Sequence, residues 1–150
     1  ILRAQIEGDG DYSIANQASS RRSVRESMEL IAPLAGGVIV NEFSPRSGSM
    51  GVSIASTADT QVVAIGEGTV ILTTWSPDDG YLVEVQHTNG LISFYRNMSQ
   101  SLVEVGQKLT AGQIVGYSAE ATDEGNTPRL LQFEIWSDGK PVDPESYIVF

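Results

Sequence analysis

Residues 68–96 read GTVILTTWSPDDGYLVEVQHTNGLISFYR, and this stretch decides the fold class. It contains runs rich in Val, Ile, Leu and aromatic residues, separated by Asp79-Gly80 and Asn89-Gly90. Asp-Gly and Asn-Gly supply the positive φ angles that tight hairpin turns need. The stretch therefore predicts a three-stranded antiparallel meander.

Similar short runs continue on both sides of the meander, which is typical of an all-β domain. Asp138-Gly139 gives a further turn, and Gly106–Gln113 reads as a hydrophilic loop. We predict an antiparallel sandwich or partly open barrel over residues 37–150. Its candidate strands are Val38–Phe43, Val52–Ser56, Gln61–Ala64, Gly68–Trp75, Tyr81–His87, Leu91–Arg96, Gln113–Tyr117 and Leu130–Trp136.

The N-terminal region has a different character. Residues 1–20 are polar and rich in Gly, Ser and Asn, and we interpret them as a linker or loosely ordered arm. Ser23 and Glu26 fit a capping box, and an apolar stripe follows at helical spacing until Pro33. We predict a short helix over residues 23–32 and one domain over residues 21–150.

The charge balance excludes several partners. Nine Lys and Arg residues against nineteen Asp and Glu residues give a net charge of -10 among 150 residues. A nucleic-acid binder needs a basic stripe to neutralise phosphates, and no basic cluster exceeds Arg21-Arg22. No stretch approaches the ~20 apolar residues of a membrane span. Because the chain begins at Ile1, we expect a fragment or processed form, with any export signal or membrane anchor upstream.

The metal-binding residue types are scarce. The chain has no cysteine, and His87 is its one histidine. Catalytic zinc usually takes three protein ligands, mostly His with a carboxylate. This count argues against a zinc hydrolase before any family is considered.

Read in order, the chain nevertheless resembles the LytM or lysostaphin-type zinc endopeptidases of peptidoglycan over residues 33–150. Each matching piece is short, but all of them occur in the family's order. They are EFSP at 42–45, GVSIA at 51–55, VVA at 62–64, GEGTV at 66–70, VQHTNGLIS at 85–93, YRNMS at 95–99, VGQK at 105–108, AGQIVG at 111–116, LQFEIW at 131–136 and GKPVDP at 139–144.

The resemblance fails at the positions that carry the family's chemistry. The family has a His-x-Gly-x-Asp signature, a catalytic His two residues after a Tyr, and a final His-Leu-His-Phe-Glu signature. Gly51, Tyr95, Leu131, Phe133 and Glu134 keep the frame of these signatures. The three ligand positions hold Ser49, Ser53 and Gln132, and the two catalytic His positions hold Asn97 and Leu130.

These replacements imply a loss of zinc and of catalysis. In the enzymes, zinc polarises the scissile amide and acidifies a bound water, which the nearby histidines orient. Serine hydroxyls and a glutamine amide are poor zinc ligands, so we expect no metal and no cofactor. Side chains alternate along a strand. One face should therefore form the floor of the old groove, with Leu130, Gln132, Glu134 and Trp136, while Leu131, Phe133 and Ile135 form core. We expect groove contacts from Tyr95, Glu134, Trp136 and Trp75.

Three further patterns have less specific interpretations. His87 lies in no hydrolase nucleophile motif, and we interpret it as structural. Asp78-Asp79-Gly80 and Asp123–Asn126 lack calcium-loop spacing. Trp75, Tyr95 and Trp136 could form a platform for glycan stacking, although large aromatic residues are more often core.

Our main functional hypothesis is a non-catalytic LytM-like domain of the bacterial envelope, in the periplasm or at the cell surface. It would bind a protein partner such as a cell-wall hydrolase, as a regulator, activator or scaffold. The alternative is a peptidoglycan- or peptide-binding module that uses the inactive groove. A structural segment of a longer protein and an active zinc peptidase are less favoured.

Overall fold

The computed structural model describes residues 30–56, 60–119 and 130–150. Short 3₁₀ turns cover Pro45–Ser47 and Pro144–Ser146. The strands are β1 Val38–Asn41, β2 Val52–Ala55, β3 Gln61–Val63, β4 Gly68–Ser76, β5 Gly80–Gln86, β6 Leu91–Ser101, β7 Lys108–Leu109, β8 Ile114–Ser118, β9 Leu131–Ser137 and β10 Lys140–Val142. The predicted all-β fold is confirmed, and these strands pair antiparallel.

The long strand β6 organises the sheet. The main strand order is β1-β2-β9-β6-β5-β4-β7, and β10 pairs antiparallel with β9. The first part of β6 lies between β5 and β9. Its last part, at Met98, Gln100 and Ser101, pairs with β8, and β8 in turn pairs with β3. The change of partner falls between Arg96 and Met98, and a register shift between Met98 and Gln100 follows it. Bulges bend strands in this way, so one strand serves both parts of the fold.

The predicted meander corresponds to β4, β5 and β6. Its second turn has positive φ at both Asn89 (59°) and Gly90 (75°), and the β9–β10 turn has them at Asp138 (50°) and Gly139 (82°). These are the conformations that an Asn-Gly or Asp-Gly hairpin needs. The turn chemistry therefore fixes the register on both sides of the sheet.

The core follows the alternation predicted for β9. Leu131, Phe133 and Ile135 are at most 1% exposed, whereas Gln132 and Glu134 are half-buried on the other face. The buried side chains of β9 belong to one hydrophobic cluster with side chains from other strands. It includes Val52, Ile54, Val62, Ile65, Val83, Val85, Leu91, Tyr95 and Val115.

Two strands were not predicted. Lys108–Leu109 was interpreted as loop, yet it pairs with Gly68 and Thr69, and Lys140–Val142 pairs with β9. Both are too short for a periodic pattern, so neighbouring strands define them.

The predicted arm at 1–20 lies outside the described residues, and so do residues 21–29, which include most of the predicted helix. Residues 30–32 are not helical, and the Ile31 N–H donates to the Ile65 carbonyl at 2.9 Å. Across the three described ranges, no helix has the length and apolar character that crossing a bilayer demands.

Candidate functional site

Ser49 lies between the first 3₁₀ turn and β2, in a small antiparallel bridge with Ser44. Its hydroxyl oxygen is 3.0 Å from the carbonyl oxygens of both Glu42 and Gly51. A hydroxyl carries one hydrogen and no charge. Ser49 is therefore engaged with the local backbone and presents only a neutral oxygen to a cation.

Ser53 and Gln132 form the centre of the candidate site. They are Cα partners on the neighbouring strands β2 and β9. The Ser53 hydroxyl donates to Oε1 of Gln132 at 2.8 Å, and Ser53 is only 5% exposed. Two side chains at expected zinc-ligand positions therefore satisfy each other.

Asn97 and Leu130, at the expected catalytic His positions, also meet. The Asn97 Nδ2 donates to the Leu130 carbonyl oxygen at 3.2 Å, and its backbone N–H donates to the Asp79 carbonyl at 2.9 Å. Asn97 has φ of 66°, a left-handed conformation that Asn adopts more readily than most residues. This side chain ties β6 to the start of β9 and is not a proton carrier.

Glu134 and Trp136 continue the same face of β9. The Trp136 Nε1 donates to Glu134 Oε1 at 2.9 Å, and Arg96 Nε lies 3.5 Å from Glu134 Oε2. The Trp136 ring packs on Phe94 with centroids 5.8 Å apart, and the Arg96 guanidinium lies 5.6 Å from the Phe94 centroid. We call the surface formed by Ser53, Asn97, Leu130, Gln132, Glu134 and Trp136 the groove face.

Sequence reasoning missed Arg96 and Phe94. Both alternate with buried Tyr95 on β6, and the register places Arg96 opposite Gln132 and Phe94 opposite Glu134. Glu84 lies on the far side of Phe94, and burial raises the pKa of its carboxyl. Arg96 opposes that rise in pKa, and Glu134 adds to it. The strand alternation around Tyr95 was the signal that could have found this row of side chains.

The expectation that Tyr95 contacts the groove is wrong. Tyr95 is 0% exposed and packs on Phe133 with centroids 5.5 Å apart. It faces the core because successive side chains of a strand point to opposite faces, and its neighbours Phe94 and Arg96 lie on the groove side of β6. Its hydroxyl accepts from Ile65 N–H at 3.1 Å, and burial raises its pKa to about 12.

The expectation that Trp75 contacts the groove is also wrong, and the possible platform of Trp75, Tyr95 and Trp136 does not form. Trp75 is 56% exposed on β4 and packs on Tyr81 of β5, with centroids 6.5 Å apart. The strands β5 and β6 separate it from Trp136, which packs on Phe94. The predicted groove contacts that lie on the groove face are therefore Glu134 and Trp136.

His87 has a structural environment, as its sequence context predicts. Its Nδ1 lies 2.6 Å from the Glu67 carbonyl oxygen and its Nε2 lies 2.8 Å from Ser93 Oγ, which is 2.9 Å from the Tyr95 hydroxyl. Burial lowers the pKa of His87, and the bond to Glu67 opposes this only in part. The ring is therefore a neutral link in a buried hydrogen-bond chain.

The groove face does not fit a zinc ion. Zinc sites use thiolate, imidazole and carboxylate donors, whereas Ser49 and Ser53 give hydroxyls and Gln132 gives an amide already engaged by Ser53. Within residues 30–56, 60–119 and 130–150, no three His, Cys, Asp or Glu side chains form a group that could hold a metal. Among the six residues of the groove face, Glu134 is the one carboxylate, and it contacts the Arg96 guanidinium.

Comparison with known proteins supports the observed fold and the family resemblance found in the sequence. Residues 47–144 match the model of peptidase family M23. The chain belongs to this family. It is a degenerate member, because no group of His, Cys, Asp and Glu side chains that could hold a metal occurs in the described residues, and the positions where the family signatures lead us to expect zinc ligands hold Ser49, Ser53 and Gln132.

The chain is 32% identical over 102 residues to stage II sporulation protein Q of Bacillus subtilis, covering 67% of this chain and 36% of that protein. It is 34% identical over 98 residues to the murein hydrolase activator EnvC of Escherichia coli, covering 65% of this chain and 23% of that protein. A chain of the solved SpoIIQ–SpoIIIAH pore-forming complex superposes with a TM-score of 0.68 at 26% identity, covering 81% of this chain and 91% of that one. The chain thus spans little more than a third, or less, of these curated relatives.

Proposed function

We propose that this chain is a non-catalytic M23 domain of the bacterial cell envelope that binds a protein partner through the groove face. The observation that carries the proposal is the hydrogen bond between Ser53 and Gln132, which joins two former ligand positions to each other. A site whose donors are neutral and mutually engaged cannot activate water by the family's route. The domain then works without zinc.

The relatives give the proposal its direction. One is named a murein hydrolase activator, and another is seen in complex with a second protein. By analogy, the partner of this chain is an envelope protein such as a cell-wall hydrolase. A net charge of -10 disfavours binding to an anionic cell wall, so a protein partner ranks above peptidoglycan.

The groove face has the composition of a binding surface. Leu130 and Trp136 are half-buried apolar side chains, and they flank the neutral Gln132 and the Glu134–Arg96 pair. Interfaces commonly combine an apolar or aromatic anchor with a few fixed polar groups. The Trp136–Glu134 bond holds the aromatic anchor in one orientation before any partner arrives.

The test is dye release from labelled sacculi by a purified cell-wall amidase, with and without this domain. We expect no release by the domain alone and increased release by the amidase when the domain is added. Leu130→Arg should abolish the increase, because it replaces one of the two apolar side chains of the groove face with a charge. Val149→Arg is the matched control, since Val149 is 91% exposed and outside the groove face.

The outcomes separate the hypotheses. Dye release by the domain alone would contradict the non-catalytic assignment. If no amidase responds and the domain sediments with purified sacculi, the peptidoglycan-binding alternative replaces the protein partner. An equal loss of stimulation in Leu130→Arg and Val149→Arg would contradict the proposal that the partner binds through the groove face.

A further inference from the structure

One edge of the sheet is open along most of β4. This strand pairs with β5 from Thr69 to Ser76, but on its other side β7 pairs only with Gly68 and Thr69. Val70 is covered next, because its N–H donates to Gln107 and its carbonyl accepts from Gly106. From Ile71 to Ser76, no strand of the described residues pairs on that side. We call this segment the β4 edge.

The β4 edge has little of the usual protection of an exposed strand: a register irregularity lies at its start, between Val70 and Leu72, and Pro77 follows its end. Natural edges are kept from pairing by Lys, Pro, inward charges or a covering element. The sequence ILTTWS at 71–76 contains no charge and no proline. Leu72 is 37% and Trp75 is 56% exposed, and Val105, beside the start of the edge, is 63% exposed. Such an edge is a template for an added strand.

Acidic side chains stand at both ends of the edge. Asp78 and Asp79 follow it after Pro77, in the β4–β5 turn. At the other end, the Gln107 N–H bonds to the Glu104 carbonyl in the same turn that covers Val70. Lys108 lies farther along, opposite Thr69, where β7 already closes the strand. An incoming strand therefore meets negative charge at each end of an apolar stretch.

We propose that the β4 edge binds an extended segment of another protein, with apolar or β-branched residues at alternate positions and Lys or Arg at both ends. Six residues at about 3.4 Å each give a paired stretch of roughly 20 Å. Backbone hydrogen bonds supply the attachment, and the flanking cations set the specificity. Leu72 and Trp75 lie on opposite faces of β4, so each contacts a different alternating set of the bound segment's side chains.

A second copy of this chain is a poor occupant of the edge. Two copies paired antiparallel about a twofold axis would bring Asp78 and Asp79 of each toward Glu104 of the other. Like charges in such positions oppose association, and each copy carries a net charge of -10. The site is also independent of the groove face, because β5 lies between β4 and β6.

The probe is a synthetic ten-residue peptide, Lys-Lys-Thr-Val-Thr-Val-Thr-Val-Lys-Lys, N-methylated at alternate residues so that it cannot stack on itself. Titration is followed by amide chemical shifts of the isotope-labelled domain. We expect shifts concentrated at residues 71–76 and slowed amide exchange there. The same peptide with Glu in place of each Lys should bind at least about tenfold more weakly, because its charges are repelled.

Leu72→Lys should weaken binding of the Lys-flanked peptide by about tenfold or more, since an edge lysine obstructs pairing and repels the probe. Val38→Lys is the matched control on β1, at the opposite edge of the sheet, where Val38 is 63% exposed. Thermal unfolding of each variant verifies that it is folded. The proposal is overturned by an absence of shifts at millimolar peptide, by equal binding of the Glu-flanked peptide, by shifts confined to β1 or the groove face, or by dimerisation of the free domain through β4.

Discussion

The Ser53 hydroxyl donates a 2.8 Å hydrogen bond to the side-chain oxygen of Gln132, across the paired strands β2 and β9. In an M23 enzyme, side chains at such positions converge on a cation. Here the two side chains bond to each other, so the donors at these positions are neutral and engaged. This relationship is the physical basis for our proposal that the domain binds without cutting.

Removing the Ser53–Gln132 bond should have a modest cost. Ser53→Ala should lower the free energy of unfolding by about 1 kcal/mol, since Ser53 is nearly buried while Gln132 can still reach water. Urea denaturation measures the change, and Ser44→Ala is the control because the Ser44 side-chain bond is exposed. In a double-mutant cycle with Gln132→Ala, a coupling indistinguishable from zero would show that the bond is not formed in solution.

Placing zinc-binding side chains at positions 49, 53 and 132 should restore zinc binding. The triple variant Ser49→His, Ser53→Asp, Gln132→His supplies two imidazoles and a carboxylate, a zinc donor set. We expect it to retain about one zinc per chain after dialysis, by elemental analysis. The control variant keeps Ser53 and should lose most of its zinc. A folded triple variant without zinc would mean that these three positions do not converge.

The buried His87 should make stability depend on pH. Its pKa is lowered in the folded state, so between that pKa and about 6.5 the unfolded chain binds more protons than the folded chain. The free energy of unfolding should therefore fall as the pH decreases below about 6.5 and should reach its full value above it. Chemical denaturation from pH 5 to 8, compared with His87→Gln, isolates this contribution.

The same histidine makes a structural prediction about its tautomer. The Glu67 carbonyl can only accept, so Nδ1 carries the hydrogen and Nε2 accepts from Ser93. Ser93 has one hydroxyl hydrogen and gives it to Nε2, so at the 2.9 Å contact between Ser93 and Tyr95 the Tyr95 hydroxyl must be the donor, while it accepts from Ile65 N–H. Nitrogen NMR shifts at neutral pH should identify the Nδ1–H form. Finding the Nε2–H form, or an identical pH slope in His87→Gln, would contradict this chain of bonds.

Gly51 should tolerate no side chain. A Cβ there would meet the Phe133 carbonyl oxygen and would lie 2.6 Å from Glu134 Cγ. Gly51→Ala must push β2 away from β9, and we expect a loss of more than about 3 kcal/mol, at the severe end for single substitutions. Gly48→Ala is the control, because its Cβ meets nothing within 4 Å and its φ of 87° adds only backbone strain. Similar stabilities for the two variants would contradict this close approach.

The sequence predicted most of the sheet because its signals are local. Asn89-Gly90 fixed a hairpin, and the alternation of Leu131, Gln132, Phe133 and Glu134 separated core from groove. Tyr95 was misplaced because its motif was read without applying the same alternation to β6. Strands as short as Lys108–Leu109 could not be predicted, since they exist only through pairing with a distant strand. The Ser53–Gln132 bond joins residues 79 positions apart and needed the tertiary register.

Zinc content tests the central claim most directly. The unaltered chain is incubated with excess zinc, passed through a desalting column and measured for metal and protein by elemental analysis. The account predicts a zinc-to-protein ratio close to zero, because hydroxyl and amide groups do not hold the ion through the column. A ratio close to one in the unaltered chain would contradict it.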